Sequence, residues 1–145
     1  MEGMLEVVFV SVTDIDRAKT FYAEQLGFPV DYDGTYREDY RVVQVTPPGS
    51  GCSVVIGSGA WSWTQAGGPA LRFVEPGAVQ ALTLVVSDVE AARSELIERG
   101  VSASEILHFE EGEWRPEKGG PWNSFVFFND PDGNGWMLQE RPPAD

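Results

Sequence analysis

This chain makes the same structural statement twice, and that constrains its fold more than any other feature. FVSVTDIDRAKTFYAEQLGF and LTLVVSDVEAARSELIERGV align on a fixed shift, so that Val12 falls on Val86, Thr13 on Ser87 and Asp14 on Asp88, 74 positions on. Ile15 then matches Val89, Asp16 matches Glu90 and Ala18 matches Ala92. A one-residue slip after the helical stretch pairs Gly27 with Gly100. A fixed internal repeat must be found before any local reading, because each copy is one supersecondary unit. Half a chain, roughly 60 residues, is marginal alone. The two copies are therefore expected to share one sheet surface or barrel.

Each copy has the same physical content. A β-branched apolar run, Val7 to Val12 and again Leu82 to Val86, predicts a strand. The following Thr-Asp or Ser-Asp predicts a helix start, with the carboxylate of Asp14 or Asp88 accepting orphan backbone N–H groups. Ala18, Phe21, Tyr22 and Leu26 recur at helical spacing, as do Ala92, Leu96 and Ile97. Gly27 and Gly100 suit a left-handed helix end. RVVQVTP and SVVIGS read as strands around PPGSG, and SFVFF and GWMLQE as strands around DPDGN, where Pro presets the turn and Gly supplies positive φ. Each half is therefore predicted as β-α-β-β-β, module 1 over residues 4–59 and module 2 over 79–141. The Gly- and Pro-rich stretch 60–78 is predicted as the linker. DYDGTYRED, residues 31–39, reads as a solvated loop, or as an acidic lure for a cation.

Composition narrows the function classes. A net charge of −13 opposes binding to nucleic acid, which requires clustered Lys and Arg, and to anionic membrane surfaces. No apolar run approaches the roughly 20 residues that span a bilayer, and no basic-then-apolar leader opens the chain. The lone Cys52 precludes an internal disulfide and fits a cytoplasmic protein. The same charge permits cationic or neutral ligands.

In TDIDRAKTFYAEQLGF, SDVEAARSELIERGV and FFNDPDGNGWMLQE the chain resembles the vicinal-oxygen-chelate superfamily, which includes glyoxalase I, extradiol dioxygenases and bleomycin-resistance proteins. The resemblance covers nearly the whole chain. It implies an α+β fold in which two tandem βαβββ modules curl into a cup, and it implies a homodimer. In the family's metalloenzymes the first and last strands of each module each contribute a His, Glu or Gln ligand. By the family pattern the first-strand ligand lies seven residues before the capping Asp, at Val7 and Ala81. The last-strand ligand lies four after the turn glycine, at Ser53 and Met137. None of these four is a competent ligand for a hard divalent ion. Glu6 and Gln80, the nearest alternatives, alternate to the opposite strand face. The expectation is no metal and no cofactor.

What remains is an apolar cup floor. Val7, Phe9 and Ser11 share one side of the first strand, and Thr83, Val85, Met137 and Gln139 are expected to line the same cavity, with Ser53. That is the makeup of a small-molecule pocket, mostly apolar with a few orienting polar groups. Trp61, Trp63, Trp114 and Trp122 fall in predicted loops that could rim it and stack on flat or cationic ligands. His108, the only histidine, is the one candidate general base. The function expected is metal-free capture of a flat organic molecule, neutral or cationic, of the bleomycin-resistance type. The alternative is a lyase, isomerase or dioxygenase using a displaced metal or a metal-free mechanism through His108 or a carboxylate.

Overall fold

The structure is a computed structural model that describes residues 1–36, 40–58 and 74–144. The chain divides into two compact units. The first holds Met1–Val79 with Asp130–Asn134, and the second holds Gln80–Asn129 with Gly135–Asp145. The predicted strands β1 (Val7–Val12) and β5 (Leu82–Val86) form with the bounds read from the sequence. Both predicted caps also form: Asp14 accepts from the Arg17 N–H and Asp88 from the Ala91 N–H, each at 3.0 Å. Gly27 and Gly100 end the helical segments at φ 73° and 85°, where a Cβ would be strained.

In the first unit, α1 (Ile15–Lys19) continues as a π-helical segment, Thr20–Gln25, instead of the single α-helix expected. β2 (Val30–Tyr36), β3 (Tyr40–Val45) and β4 (Ser53–Ser58) follow, in the sheet order β1-β4-β3-β2, with β1 and β4 parallel. The predicted β-α-β-β-β order is therefore present. Of the stretch expected as a solvated loop, residues 31–36 belong instead to β2, and residues 37–39 lie outside the described residues. The acids of β2 are used locally: Asp33 bonds Lys19 at 2.7 Å and Arg41 at 3.0 Å, which holds its carboxyl well below the ordinary carboxylate range. The Tyr32 ring covers Gly34, filling the space where a side chain would stand. The core lies between the sheet and the helix, where Val10, Val12, Val43, Val45, Ile56 and Tyr22 are all but inaccessible.

The second unit holds β5, α2 (Val89–Glu98), β6 (Leu107–Glu110), β7 (Glu113–Pro116), β8 (Phe125–Asn129) and β9 (Gly135–Glu140), in the sheet order β5-β9-β8-β6-β7. This is one strand more than the repeat predicts. The β6–β7 hairpin turns at Glu111 and Gly112, both at positive φ (53° and 79°). That is the two-residue geometry matching strand twist, and Gly112 is the only residue of the pair that adopts it freely. Trp114, expected in a loop, lies on β7. One face of the sheet packs on α2 through Val126, Phe128 and Leu138. Among the described residues no helix is long and apolar enough to cross a membrane.

The DPDGN turn joins β8 to β9 yet belongs to the first unit. Asp130, 4% exposed, accepts four hydrogen bonds. They come from the Tyr22 hydroxyl (2.7 Å), Asn134 Nδ2 (2.8 Å), the Asp132 N–H (3.0 Å) and the Asn134 N–H (2.9 Å). Asn134 Nδ2 also donates to the Ser11 carbonyl at 3.1 Å, and Asp132 Oδ1 accepts from the Thr13 N–H and hydroxyl.

Candidate functional site

In the first unit Val7, Phe9, Ser11 and Ser53 share the face away from α1. Val7 pairs with Ser53, Phe9 with Val55 and Ser11 with Gly57, and directly opposed residues lie on one side of a sheet. Phe9 is 38% exposed, whereas Ser11 and Ser53 are buried. Ser53 Oγ is 2.6 Å from Thr46 Oγ1. Ser11 Oγ is buried and has no partner among the described residues.

The register changes one equivalence drawn from the sequence. Met137 pairs with Thr83, the repeat counterpart of Phe9, and Phe9 pairs with Val55. The structural counterpart of Met137 is therefore Val55, and Ser53 corresponds to Gly135. Counting from Gly49 fails because the two loops before the last strands differ in length. The positions that the resemblance marks for metal ligands thus carry Val7, Val55, Ala81 and Met137. Three hydrocarbon side chains and a thioether do not fit a hard divalent ion. Among the described residues no three His, Cys, Asp or Glu side chains are grouped so that they could hold one.

In the second unit the face away from α2 is open and apolar. Thr83 pairs with Met137 and Val85 with Gln139. Met137 pairs in turn with Phe127 and Gln139 with Phe125. Thr83, Val85, Met137 and Gln139 therefore stand in one cluster with two phenylalanines the sequence reading did not select. Trp114 lies over them, its ring centroid 5.3 Å from Phe125 and 5.0 Å from Phe127, edge-on to both, and 5.1 Å from Phe109. Val85, Phe109, Trp114 and Trp122 remain about half exposed. Edge-to-face packing of this kind fixes rings in place. The rows continue into a cleft of about 360 Å³ at the strand ends, lined by Gln80, Ala81, Ser102, Phe127, Trp136 and Met137 among others. That volume falls in the range of small-molecule pockets. Ala81 enters β5 at φ 64°, and its carbonyl accepts from Thr83 Oγ1 at 3.0 Å.

The two phenylalanines could have been found by counting outward from the DPDGN turn. Asn129 opposite Gly135 sets Phe127 opposite Met137 and Phe125 opposite Gln139. Trp114 could not, because its place depends on the β6–β7 hairpin, which has no counterpart in the first copy of the repeat. Trp61 and Trp63 lie outside the described residues.

His108 is not part of this cluster. On β6, Leu107 pairs with Phe125 and Phe109 with Trp114, so His108 between them points to the opposite face. Both ring nitrogens are engaged, Nδ1 with the Glu117 carbonyl at 2.8 Å and Nε2 with Glu110 Oε2 at 3.1 Å. A carbonyl only accepts, so Nδ1 carries a proton, and an ionised Glu110 requires one on Nε2 as well. These contacts, the carbonyl first and the carboxylate second, raise the pKa above the ordinary 6.5. The stabilising contribution of the protonated ring is fully present below the unfolded-state pKa. It is lost as pH rises through the higher folded-state value. An NMR titration of the single imidazole is expected to give a midpoint above 6.5, and Glu110→Gln should lower it. A midpoint at or below 6.5 in the intact protein would contradict this geometry.

A family model described as Glyoxalase/Bleomycin resistance protein/Dioxygenase superfamily matches residues 4–138. No curated protein matches the chain. Among solved structures, the chain is similar to TnmS3, an antibiotic binding protein from Streptomyces sp. CB03234. The identity is 30%, the TM-score 0.71, and the match covers 97% of this chain and 98% of that one. A glyoxalase/bleomycin resistance protein from the same Streptomyces strain is 31% identical, with a TM-score of 0.67 and coverage of 94% and 99%. A superfamily member from Sphaerobacter thermophilus DSM 20745 is 28% identical, with a TM-score of 0.71 and coverage of 97% and 98%.

Proposed function

The chain belongs to the glyoxalase/bleomycin resistance protein/dioxygenase superfamily, and from that premise we propose that it captures a flat organic molecule, neutral or cationic, without a metal ion. One observation carries the reading: a strand face that holds Trp114, Phe125, Phe127, Met137 and Val85 together, with Trp114 and Val85 about half exposed and the other three partly buried. An accessible apolar cluster of this extent marks a binding site more often than an idle surface. The antibiotic-binding relative supports a natural product as the cargo. The net charge of −13 favours a cationic one. Capture by a homodimer in the cytoplasm belongs to the same reading.

The test is a titration of the intact protein with a panel of polycyclic aromatic antibiotics and cationic dyes, following tryptophan fluorescence. Binding on this face quenches Trp114. Trp114→Ala is expected to weaken binding by about 10- to 100-fold, the cost of one aromatic stacking contact. The stoichiometry and the sedimentation of the complex report whether a homodimer is the binding unit. Absence of quenching across the panel, or unchanged affinity in Trp114→Ala, would remove the reading.

A further inference from the structure

In the two rows Thr83–Met137–Phe127 and Val85–Gln139–Phe125 of this open face the polar side chains are Thr83 and Gln139, and both are oriented by backbone carbonyls. Thr83 Oγ1 donates to the Ala81 carbonyl at 3.0 Å. Gln139 Nε2 donates to the Trp122 carbonyl at 2.9 Å. Because a carbonyl can only accept, the amide nitrogen must face Trp122, and this settles which end of Gln139 is which. Each side chain has spent a donor on the backbone and kept its oxygen lone pairs. Two acceptor oxygens then stand on this floor against a single remaining N–H of the Gln139 amide.

The partner of Gln139 is held in place by its loop. Trp122 sits at φ 64°, a conformation that costs a bulky residue energy and persists only where its surroundings enforce it. Asn123 provides the enforcement. Its side chain accepts from the Phe109 N–H and donates to the Phe109 carbonyl, both at 2.9 Å, and its backbone closes turns with Gly119 and Gly120. The Trp122 carbonyl is thereby aimed at Gln139, and the Trp122 indole is left half exposed.

We propose that Gln139 is the specificity-determining residue of this face. With its nitrogen tethered to Trp122, it presents Oε1, helped by Thr83 Oγ1, to a planar aromatic ligand that carries N–H or O–H donors on its edge. The proposal rests on the capture reading above and deepens it. An aromatic ligand without edge donors would bury Oε1 unpaired, and an unpaired buried acceptor is more costly than a made hydrogen bond is favourable. Discrimination through a polar group left unsatisfied is stronger than discrimination by apolar fit alone.

Proflavine and acridine orange, each methylated at the ring nitrogen so that neither keeps a ring N–H, form a matched pair of probes. Both are flat acridinium cations at neutral pH. Proflavine carries edge NH₂ groups, whereas acridine orange has them fully methylated. The intact protein is expected to bind proflavine about five- to tenfold more tightly. Gln139→Leu should bring the two affinities to within about twofold by weakening proflavine alone, and Thr83→Val should reduce the preference part of the way. Thr83 is an exposed strand residue, so its near-isosteric variant keeps the test available if Gln139→Leu misfolds. Equal affinities in the intact protein would overturn the selector role and leave capture standing. A preference that survives both substitutions would overturn it as well, assigning the difference to the bulk of the methyl groups. If neither dye binds, the capture reading fails and the selector falls with it.

Discussion

Asp130→Ala is expected to lower the unfolding free energy by about 3–5 kcal/mol, because it strips several donors of their shared acceptor at about 1–3 kcal/mol for each one left buried and unpaired. The reason is arithmetic. The substitution leaves four donors facing an apolar methyl group: the Tyr22 hydroxyl, the Asn134 amide and the N–H groups of Asp132 and Asn134. The three donors on Tyr22 and Asn134 have no water to turn to, because both residues are fully buried. Tyr22→Phe removes one donor and leaves Asp130 three, so it should cost only about 1–2 kcal/mol. In the Asp130→Ala background the same hydroxyl deletion should cost almost nothing, since its partner has already gone, and the cycle isolates the pair. Urea unfolding at unchanged m-value reads these differences. A loss in Asp130→Ala below about 1 kcal/mol, the ordinary cost of a surface change, would show that the network is not structurally required.

Gly77→Ala is the second large effect, at about 2–4 kcal/mol. Two penalties coincide there. Gly77 sits at φ 84°, and a Cβ would stand far inside van der Waals contact of the Asp132 carbonyl oxygen and 3.2 Å from its carbon. Backbone cannot yield as a side-chain tip does, so the strand link or the turn must shift. The Gly77 N–H reaches the Ser11 carbonyl, the same oxygen that accepts from Asn134, so displacement spreads into the Asp130 network. Gly49 is the internal control. Its φ is 82° but nothing lies within 4 Å of a Cβ built on it. Gly49→Ala should cost about 1 kcal/mol, the conformational penalty alone, and the difference between the two melts measures the clash. Equal losses would refute the steric account.

Most of the scaffold was legible because the repeat supplied two independent readings of each element. Strand, capping Asp, helix and closing Gly agree in both copies, and local consistency of that kind is what makes a sequence specify its fold. β2 was missed for a tertiary reason. DYDGT has poor strand propensity, but Asp33 finds Lys19 and Arg41, and Tyr32 covers Gly34. These partners lie 8 and 14 residues from Asp33, outside any local pattern. For the candidate site, strand parity alone put Thr83, Val85, Met137 and Gln139 on one face. Phe125 and Phe127 needed the hairpin register, and Trp114 needed a strand that the repeat does not contain. Val55 in place of Ser53 needed the β1–β4 pairing. The Asp130 network was invisible to local reasoning because Tyr22 and Asp130 are 108 positions apart.

The excursion of residues 130–134 into the first unit has a consequence for how this duplicated polypeptide can be handled. A fragment ending at residue 79 would hold every strand of its own sheet and still lack the plug that occupies Ser11, Thr13 and Tyr22. The complementary fragment would carry that plug with nowhere to insert it. The two halves match in sequence, but five residues written in the second complete the first. The seam visible in the alphabet of the chain is therefore not a place where it can be cut.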